Sequence, residues 1–222
     1  MDVFLHKHGG HLLILAAAYA LGCVASGYYL VRWRTGKDIR DAGSGGTGAT
    51  NAGRVLGRSG FLATLAADLV KGGLAVGTAW ALGDGLTSRL LALTGVVAGH
   101  IWPFQIGFRG GKGIAPFLAA LAVAAPLLML VFGGIFGVAF LFLRRFTLAG
   151  LAAVTLLPAA AAWMPIPLAS QALLAVTALL ILIAHRRNLR EEIAKFWPPP
   201  GGAPAPVPPR PPTDEHRTPH RL

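Results

Sequence analysis

The chain has 222 residues, of which 54% are hydrophobic and 13% are charged, and its formal net charge is +11. So apolar a composition in a short chain favours several membrane spans over one soluble core. The aromatic residues lie in apolar runs rather than between basic residues, so the charge favours a membrane face and anionic substrates and excludes nucleic acid as the partner.

Seven apolar segments follow one another along the chain. A bilayer core requires about 17–25 apolar residues per helix. The predicted spans are 12–31, 60–82, 86–104, 114–126, 127–143, 147–163 and 168–184. The fourth is short and contains Pro116, so we expect a tilted or half-buried helix there. The sequence therefore predicts an all-α integral membrane protein with about seven transmembrane helices.

Positive charge is concentrated in four of the polar gaps between these spans. The gaps 32–58, 109–112, 144–145 and 186–195 hold fourteen of the 20 Lys and Arg residues. With seven spans and the N-terminus outside, all four gaps lie on the inner side, where loops carry an excess of Lys and Arg. The charge therefore predicts an external N-terminus and a cytoplasmic C-terminus.

The composition changes after residue 196. Residues 198–222 contain ten prolines and few apolar side chains. Such a segment cannot bury enough surface to offset the entropy lost on ordering. We therefore expect a polytopic membrane domain over 1–196 and a disordered, Pro-rich cytoplasmic tail over 197–222.

The first basic gap contains the glycine-rich segment GSGGTGATN at 43–51. Glycines allow successive backbone N–H groups to converge on one point, and Ser44, Thr47 and Thr50 add hydroxyl donors, so the segment could bind phosphate. Its glycines also match a dinucleotide fingerprint, but no strand precedes them, which excludes a Rossmann domain. A flexible linker is the alternative; the Ala-Thr-Asn ending and the following Arg54 favour a phosphate-binding loop.

A second glycine-rich segment, RGGKG at 109–113, combines backbone freedom with two cations. It is not a Walker A loop, because Gly113 stands where a Ser or Thr would hold magnesium. Lys112 could instead neutralise a substrate phosphate directly. An ordinary basic loop explains the segment equally well.

Ionisable residues also occur within the spans or at their ends. Asp68 and Lys71 are three residues apart, so they share one helix face and could pair. Such residues are costly in a membrane and are candidates for function, although a structural pair is an equal alternative. His100 and His185 lie at inner boundaries beside basic segments, and Asn188 could share a helix face with His185.

Taken together, these motifs resemble the bacterial acyl-phosphate:glycerol-3-phosphate acyltransferases. The resemblance covers about residues 12–195, with matching order and spacing. Its motifs are GSGxxGATN (43–51), DxxKG (68–72), GHxxP (99–103), FRGGKG (108–113) and HxxN (185–188). It implies a multi-pass, seven-helix protein of the bacterial inner (plasma) membrane, with its active site on the cytoplasmic face.

The resemblance implies transfer of a fatty acyl group from acyl phosphate to the 1-hydroxyl of sn-glycerol 3-phosphate. The products are lysophosphatidic acid and inorganic phosphate, in the first acylation of phospholipid synthesis. No metal, no cofactor and no acyl-enzyme serine are implied. The partners are the two substrates and membrane lipid, with the enzyme that produces acyl phosphate as a further candidate.

By position, the resemblance assigns Ser44, Gly45 and Asn51 to the acyl-phosphate group. It assigns Arg54 and Lys112 to glycerol phosphate. The predicted site as a whole has His185, Asn188 and Lys112 as catalytic residues, and Ser44, Gly45, Thr47, Asn51, Arg54, Lys71, His100, Arg109, Gly110 and Gly111 as substrate-binding residues. Acyl phosphate is an activated mixed anhydride, so positioning and charge neutralisation could supply much of the catalysis. Either His185 or a substrate phosphate oxygen could accept the hydroxyl proton.

The chain departs from the family pattern at several positions. Gly46 stands where the family usually has Asn, Pro116 where it has Thr, Gly150 where it has Ser, Ala184 where it has Arg, and Cys23 where it has Ser. Loss of an amide and a hydroxyl near phosphate would weaken binding. A divergent, non-catalytic paralogue that binds phosphorylated lipid intermediates or partner enzymes is therefore the alternative hypothesis. A small-solute anion transporter is a third.

Overall fold

The structure is a computed structural model that describes residues 2–82 and 85–196, with side chains described for 10–82 and 85–192. Every long regular element among these residues is an α-helix, which confirms the all-α fold class. The helices are α1 (Asp2–Gly22), α2 (Ser26–Thr35), α3 (Ala49–Leu82), α4 (Leu86–Ile101), α5 (Ile114–Ala124), α6 (Pro126–Leu143), α7 (Phe146–Ala161), α8 (Leu168–Ala184) and α9 (Arg186–Phe196). Among the described residues, those up to Arg187 belong to one compact unit, and those from Asn188 to Phe196 belong to another. The predicted tail, 197–222, lies outside the described residues.

Each of the seven predicted spans coincides with helix. By length and composition, three helical segments could cross a membrane, namely Gly10–Thr35, Ala49–Leu82 and Pro126–Leu143, and a fourth could do so if α8 and the start of α9 form one broken span. With 11 residues, α5 is about 16 Å long, about half of a bilayer core. The expected short fourth helix is thus present, and the count of seven spans stays a prediction.

Two predicted helical regions contain breaks. The first span, 12–31, is divided between α1 and α2, because Ala25 leaves helical geometry with φ −81° and ψ 74°. In α3, Gly57 adopts φ 71° and ψ −161° and kinks the helix three residues before the predicted span begins. The part of α3 before this kink therefore belongs to the polar gap, and it carries Asn51 and Arg54.

Helices α1 and α4 approach closely because glycines face each other at their crossing. A Cβ atom on Gly99 would strike the Tyr19 carbonyl oxygen, and one on Gly22 would strike the Val96 carbonyl oxygen. Small residues permit such backbone approach between membrane helices. Gly95 lies beside Ala18 one turn earlier, so the two helices run parallel.

Hydroxyl pairs join α4 to α8. The Thr87 and Ser170 hydroxyl oxygens are 2.9 Å apart, as are those of Thr94 and Thr177. Because both pairs are seven residues apart along each helix, α4 and α8 also run parallel. This spacing places His185, after α8, level with the end of α4. Three parallel helices, α1, α4 and α8, therefore end on one side of the bundle.

Helix α3 runs antiparallel to α1. Gly10 lies beside the Leu82 carbonyl, and the Lys71 amine reaches Val24 at the other end of α1. The segment that precedes the Gly57 kink therefore lies on the side where α1, α4 and α8 end. The chain thus brings its first and second basic gaps, and the start of its last, to one end of the bundle.

The outer surface of the bundle is strongly apolar. Leu130 is 73% exposed, Phe142 83% and Trp163 92%. Soluble monomers rarely expose so much contiguous apolar surface, whereas lipid would cover it. Exposed side chains and buried glycine contacts together fit a bundle immersed in a bilayer.

We expect Gly99→Ala to destabilise the protein, because its methyl group would overpack the α1–α4 crossing at a cost of about 1–3 kcal/mol. The midpoint of thermal unfolding can be followed with a thiol-reactive dye, since Cys23 is the one cysteine and is fully buried. Gly137→Ala in α6 is the matched control, because a Cβ atom there meets nothing within 4 Å. Equal midpoints for the two variants would contradict the tight crossing.

Candidate active site

The two glycine-rich segments lie against each other. The Thr47 N–H donates to the Gly110 carbonyl over 3.4 Å, and a Cβ atom on Gly46 would lie 3.8 Å from the same oxygen. A second link is the Arg40 guanidinium, which donates to the Ile106 carbonyl over 2.6 Å. The structure thus brings the segments 43–51 and 109–113 to one place, as a shared site requires.

Asn51 organises the first glycine-rich segment. Its side-chain oxygen accepts from the Ser44 N–H over 3.0 Å. Its Nδ2 lies within 3.0 Å of the Ile39, Ala42 and Gly46 carbonyl oxygens. The side chain is 2% exposed, so its amide is used within the loop. The structure thus places Asn51 behind the loop surface.

The same segment depends on glycine at two positions. Gly43 and Gly45 adopt φ values of 56° and 71°, a left-handed conformation that glycine allows without strain. A side chain on Gly43 would also strike the Asn51 side-chain oxygen. Thr47 is buried beneath the loop, whereas Ser44 and Arg54 are exposed, so these last two can meet a ligand.

Asp38 and Arg40 were not predicted from the sequence as site residues. Arg40 donates to both carboxylate oxygens of Asp38, with the closest contact at 2.6 Å, and its guanidinium lies 5.1 Å from the centre of the Tyr28 ring. The Arg40 hydrogen bond holds the pKa of Asp38 below its ordinary value. The pair holds Arg40 in place for its contact with Ile106. Their D-x-R spacing was visible in the sequence, but the distant carbonyl was not.

The second glycine-rich segment folds back onto the end of α4. The Gly111 N–H donates to the His100 carbonyl over 3.0 Å, and the Gly110 N–H donates to the Ile101 carbonyl over 3.1 Å. A Cβ atom on Gly111 would strike His100 Nε2, and one on Gly110 would strike the His100 carbonyl. The glycines therefore permit close contact with α4, while Arg109 is exposed and Lys112 is half-buried.

Asp68 and Lys71 form the pair that their spacing predicted. Lys71 Nζ lies 2.9 Å from Asp68 Oδ1 and donates to the Val24 carbonyl over 2.7 Å. Ser26 also donates to Asp68, over 3.2 Å. His100 Nδ1 lies 3.7 Å from Asp68 Oδ1, beyond hydrogen-bond range. The structure places Lys71 and His100, both predicted to bind substrate, inside the bundle with 5% of each exposed.

His185 immediately follows α8 and is 5% exposed. Its Nδ1 lies 2.9 Å from the Ile181 carbonyl, which can only accept, so the neutral ring carries its proton on Nδ1 and presents a lone pair at Nε2. Burial lowers the pKa of His185, and the nearby Lys112 ammonium lowers it further, against the Ile181 hydrogen bond. Lys112 and His185, both predicted to be catalytic, are thus close in space.

The shared helix face expected for His185 and Asn188 is wrong. His185 has φ −95° and ψ 3° and separates α8 from α9, so the two residues do not belong to one continuous helix. Asn188 lies on α9, in the second compact unit, and is half-buried there.

A cavity of about 460 Å³ adjoins the first glycine-rich segment. It was not predicted from the sequence, because its lining comes from three separate stretches of chain. The lining residues are Val31, Arg32, Lys37, Asp38, Asp41, Ala42 and Val55.

The positions that depart from the family pattern fit their surroundings. Pro116 lies in the first turn of α5, where its missing N–H costs no helical bond, and its backbone packs against Gly72. A Cβ atom on Gly150 would meet nothing within 4 Å, so a Ser there would find no obstacle. Neither departure disturbs the contact between the glycine-rich segments.

Comparison with known proteins identifies the relatives of this chain. The family model described as glycerol-3-phosphate acyltransferase matches residues 12–195. The "Glycerol-3-phosphate acyltransferase 1" of Desulfitobacterium hafniense is 48% identical over 185 residues, covering 83% of this chain and 91% of that protein. The glycerol-3-phosphate acyltransferase of Parasynechococcus marenigrum is 38% identical over 191 residues, covering 84% and 88%.

A solved structure has the same fold. The crystal structure of PlsY (YgiH), an integral membrane glycerol 3-phosphate acyltransferase, in its glycerol 3-phosphate form, superposes with a TM-score of 0.72 at 28% identity. The match covers 83% of this chain and 92% of PlsY. The form with lysophosphatidic acid gives a TM-score of 0.69 at 26% identity. The chain is therefore an integral membrane protein and belongs to the glycerol-3-phosphate acyltransferase family.

Proposed function

We propose that this glycerol-3-phosphate acyltransferase uses acyl phosphate as its donor and acylates the 1-hydroxyl of sn-glycerol 3-phosphate. The observation that carries the proposal is the contact between the two glycine-rich segments, with the Lys112 ammonium near His185. Both substrates are phosphorylated. A site with two adjoining glycine-rich segments and cations from both suits two such substrates better than one.

The reaction requires little from the protein beyond positioning and charge. The glycerol hydroxyl oxygen attacks the acyl carbon, an ester C–O bond forms, and the bond from that carbon to the phosphate oxygen breaks. Inorganic phosphate leaves with the bonding electrons. The hydroxyl proton passes either to His185 Nε2 or to a phosphate oxygen. Backbone N–H groups and cations stabilise the negative charge that develops.

Of the residues predicted to bind substrate, the exposed and half-buried ones are proposed to contact it. Ser44, Gly45 and the neighbouring backbone bind the acyl-phosphate group, and Arg54, Arg109 and Lys112 neutralise phosphate charge. Thr47, Gly110 and Gly111 shape the contact between the segments. His185 is the protein's candidate base, and Asn188 keeps the catalytic assignment that its HxxN motif gives it.

The active site is proposed to face the cytoplasm from the bacterial inner membrane, with the N-terminus outside. The first and second basic gaps, and the start of the last, lie at one end of the bundle, where α1, α4 and α8 end. Inner loops carry the excess of Lys and Arg. An acyl chain could stay in lipid beside this end, and the enzyme that produces acyl phosphate could deliver it there.

Purified protein in lipid nanodiscs, given acyl phosphate and glycerol 3-phosphate, tests the donor. The proposal requires phosphate release that depends on both substrates, with lysophosphatidic acid formed in equal amount. Acyl transfer from acyl-CoA or acyl carrier protein, without any from acyl phosphate, would refute it. Glycerol-phosphate binding without transfer from any donor would favour the non-catalytic paralogue.

We expect Lys112→Ala to reduce turnover by at least 100-fold, because a phosphate loses its countercharge at the reacting centre. Lys112→Arg should retain part of the rate. Arg58→Ala removes an exposed cation of α3 beyond the Gly57 kink and is the matched control. Phosphate release measures all three, and a wild-type rate for Lys112→Ala would show that the site is wrongly assigned.

We expect Asn51→Ala to loosen the first glycine-rich segment, because the Ser44 N–H and nearby carbonyl groups lose their buried partner. A loss of about 1–3 kcal/mol corresponds to roughly fivefold to 150-fold faster amide hydrogen exchange if opening is local. Exchange over 39–48 measures it, with the exposed neighbour Thr50→Ala as control. Unchanged exchange in Asn51→Ala would contradict the role of Asn51 in organising the first glycine-rich segment.

Residues 1–196 are proposed to contain the whole enzyme, with 197–222 as a disordered cytoplasmic tail. A chain that ends at Phe196 should therefore keep at least half of the wild-type rate and the same KM for glycerol 3-phosphate. Steady-state kinetics in nanodiscs measure both. A tenfold loss would show that the tail takes part in activity.

A further inference from the structure

We propose that Asp68, Lys71 and His100 are positioning residues. They hold the two glycine-rich segments in place relative to each other and do not contact substrate. We call these three residues and Ser26 the anchor cluster. The inference rests on the proposed function, since it concerns the same site, but it assigns a role to buried groups that lie behind that site.

The first step is the break between α1 and α2. At the interruption the Val24 carbonyl accepts from the Ser26 N–H over 3.0 Å and from Lys71 Nζ over 2.7 Å, so Lys71 binds the turn that joins the two helices. Asp68 accepts from Lys71 and from Ser26, the first residue of α2. The pair thus fixes where α2 begins and at what angle it leaves α1.

The second step links α2 to the first glycine-rich segment. Gly27 packs so closely on the Thr47 carbonyl that a Cβ atom there would strike it. Val31 packs with Ile39 and Ala52 in a small core beneath the loop. A shift of α2 would therefore move the backbone of Thr47, whose N–H contacts Gly110.

The third step links His100 to the second segment. The His100 ring occupies the space that a Gly111 side chain would fill, while its carbonyl accepts the Gly111 N–H. Its Nδ1 faces Asp68 at 3.7 Å. The ring is therefore a spacer between the Asp68–Lys71 pair and the backbone that carries Lys112.

Burial and pairing argue against direct substrate contact. Asp68 is 2% exposed and Lys71 and His100 are 5% exposed. The Lys71 ammonium already uses two of its three N–H groups on a carboxylate and a carbonyl, and only 5% of the residue is exposed to a ligand. Hydrogen bonds join Val24, Lys71 and Asp68, and the His100 ring packs between Asp68, at 3.7 Å, and Gly111.

A double-mutant cycle tests the spacer directly. We expect Gly111→Ala to lower kcat/KM for glycerol 3-phosphate at least tenfold, because its methyl group meets the ring. His100→Ala should lower it several-fold. The double variant should be no worse than His100→Ala alone, since the methyl group then has room. Effects that multiply independently would overturn the proposal, as would a wild-type value for His100→Ala.

Gly137→Ala makes the same chemical change in α6, where a Cβ atom meets nothing, and should keep wild-type kinetics. The dye reaction of Cys23 checks that every variant is folded. If His100→Ala unfolds, His100→Ser repeats the cycle with the same criteria.

Kinetics of Lys71 variants distinguish a positioning role from direct contact with substrate. Lys71→Met should lower kcat with each substrate varied in turn, because both segments shift, and Lys71→Arg should restore part of the rate. A rise in KM for one substrate alone, with kcat unchanged, would overturn the proposal and make Lys71 a binding residue.

Binding of glycerol 3-phosphate, measured by calorimetry on the same variants, keeps the two proposals distinguishable. If the wild type does not use acyl phosphate, the proposed donor fails, but the His100–Gly111 cycle can still be read from binding. Coupled losses there would support the anchor cluster, and independent losses would refute it.

Discussion

The structure depends on one buried contact, in which the Lys71 ammonium donates to the Val24 carbonyl at the break between α1 and α2. Inside a membrane the polar groups at such a break need partners within the protein, and this carbonyl accepts from both Lys71 and the Ser26 N–H. The ammonium in turn needs a counterion, which Asp68 supplies on the same helix face. The break redirects α2 and so creates the place where the first glycine-rich segment can fold.

Glycine serves two different physical purposes here. Gly22, Gly99 and Gly111 are needed because another backbone or ring occupies the position of a side chain. Gly43 and Gly45 are needed for their left-handed backbone, which curves the loop around the Asn51 side chain. The first kind brings helices and loops together, and the second shapes the loop itself.

The sequence predicted whatever depends on composition and local period: the apolar helices, the basic gaps, the short α5 and the Asp68–Lys71 pair. It failed to predict contacts between side chains and backbone groups that lie far away along the chain. The partner of Lys71 is a carbonyl 47 residues away, and the Asn51 amide binds backbone groups that no side-chain pattern reveals. The break at His185 was missed because an apolar run followed by HRRN gives no helix-stop signal.

Polar residues around the site therefore differ in burial and fall into two groups. Asp68, Lys71 and Asn51 are buried and hydrogen-bonded to protein atoms, and the buried His100 ring packs against Gly111. Arg54 and Arg109 are exposed beside the glycine-rich segments, so their charges are accessible to a ligand. Lys112 lies between these extremes, because it is half-buried and close enough to His185 for its ammonium to lower the pKa of that ring.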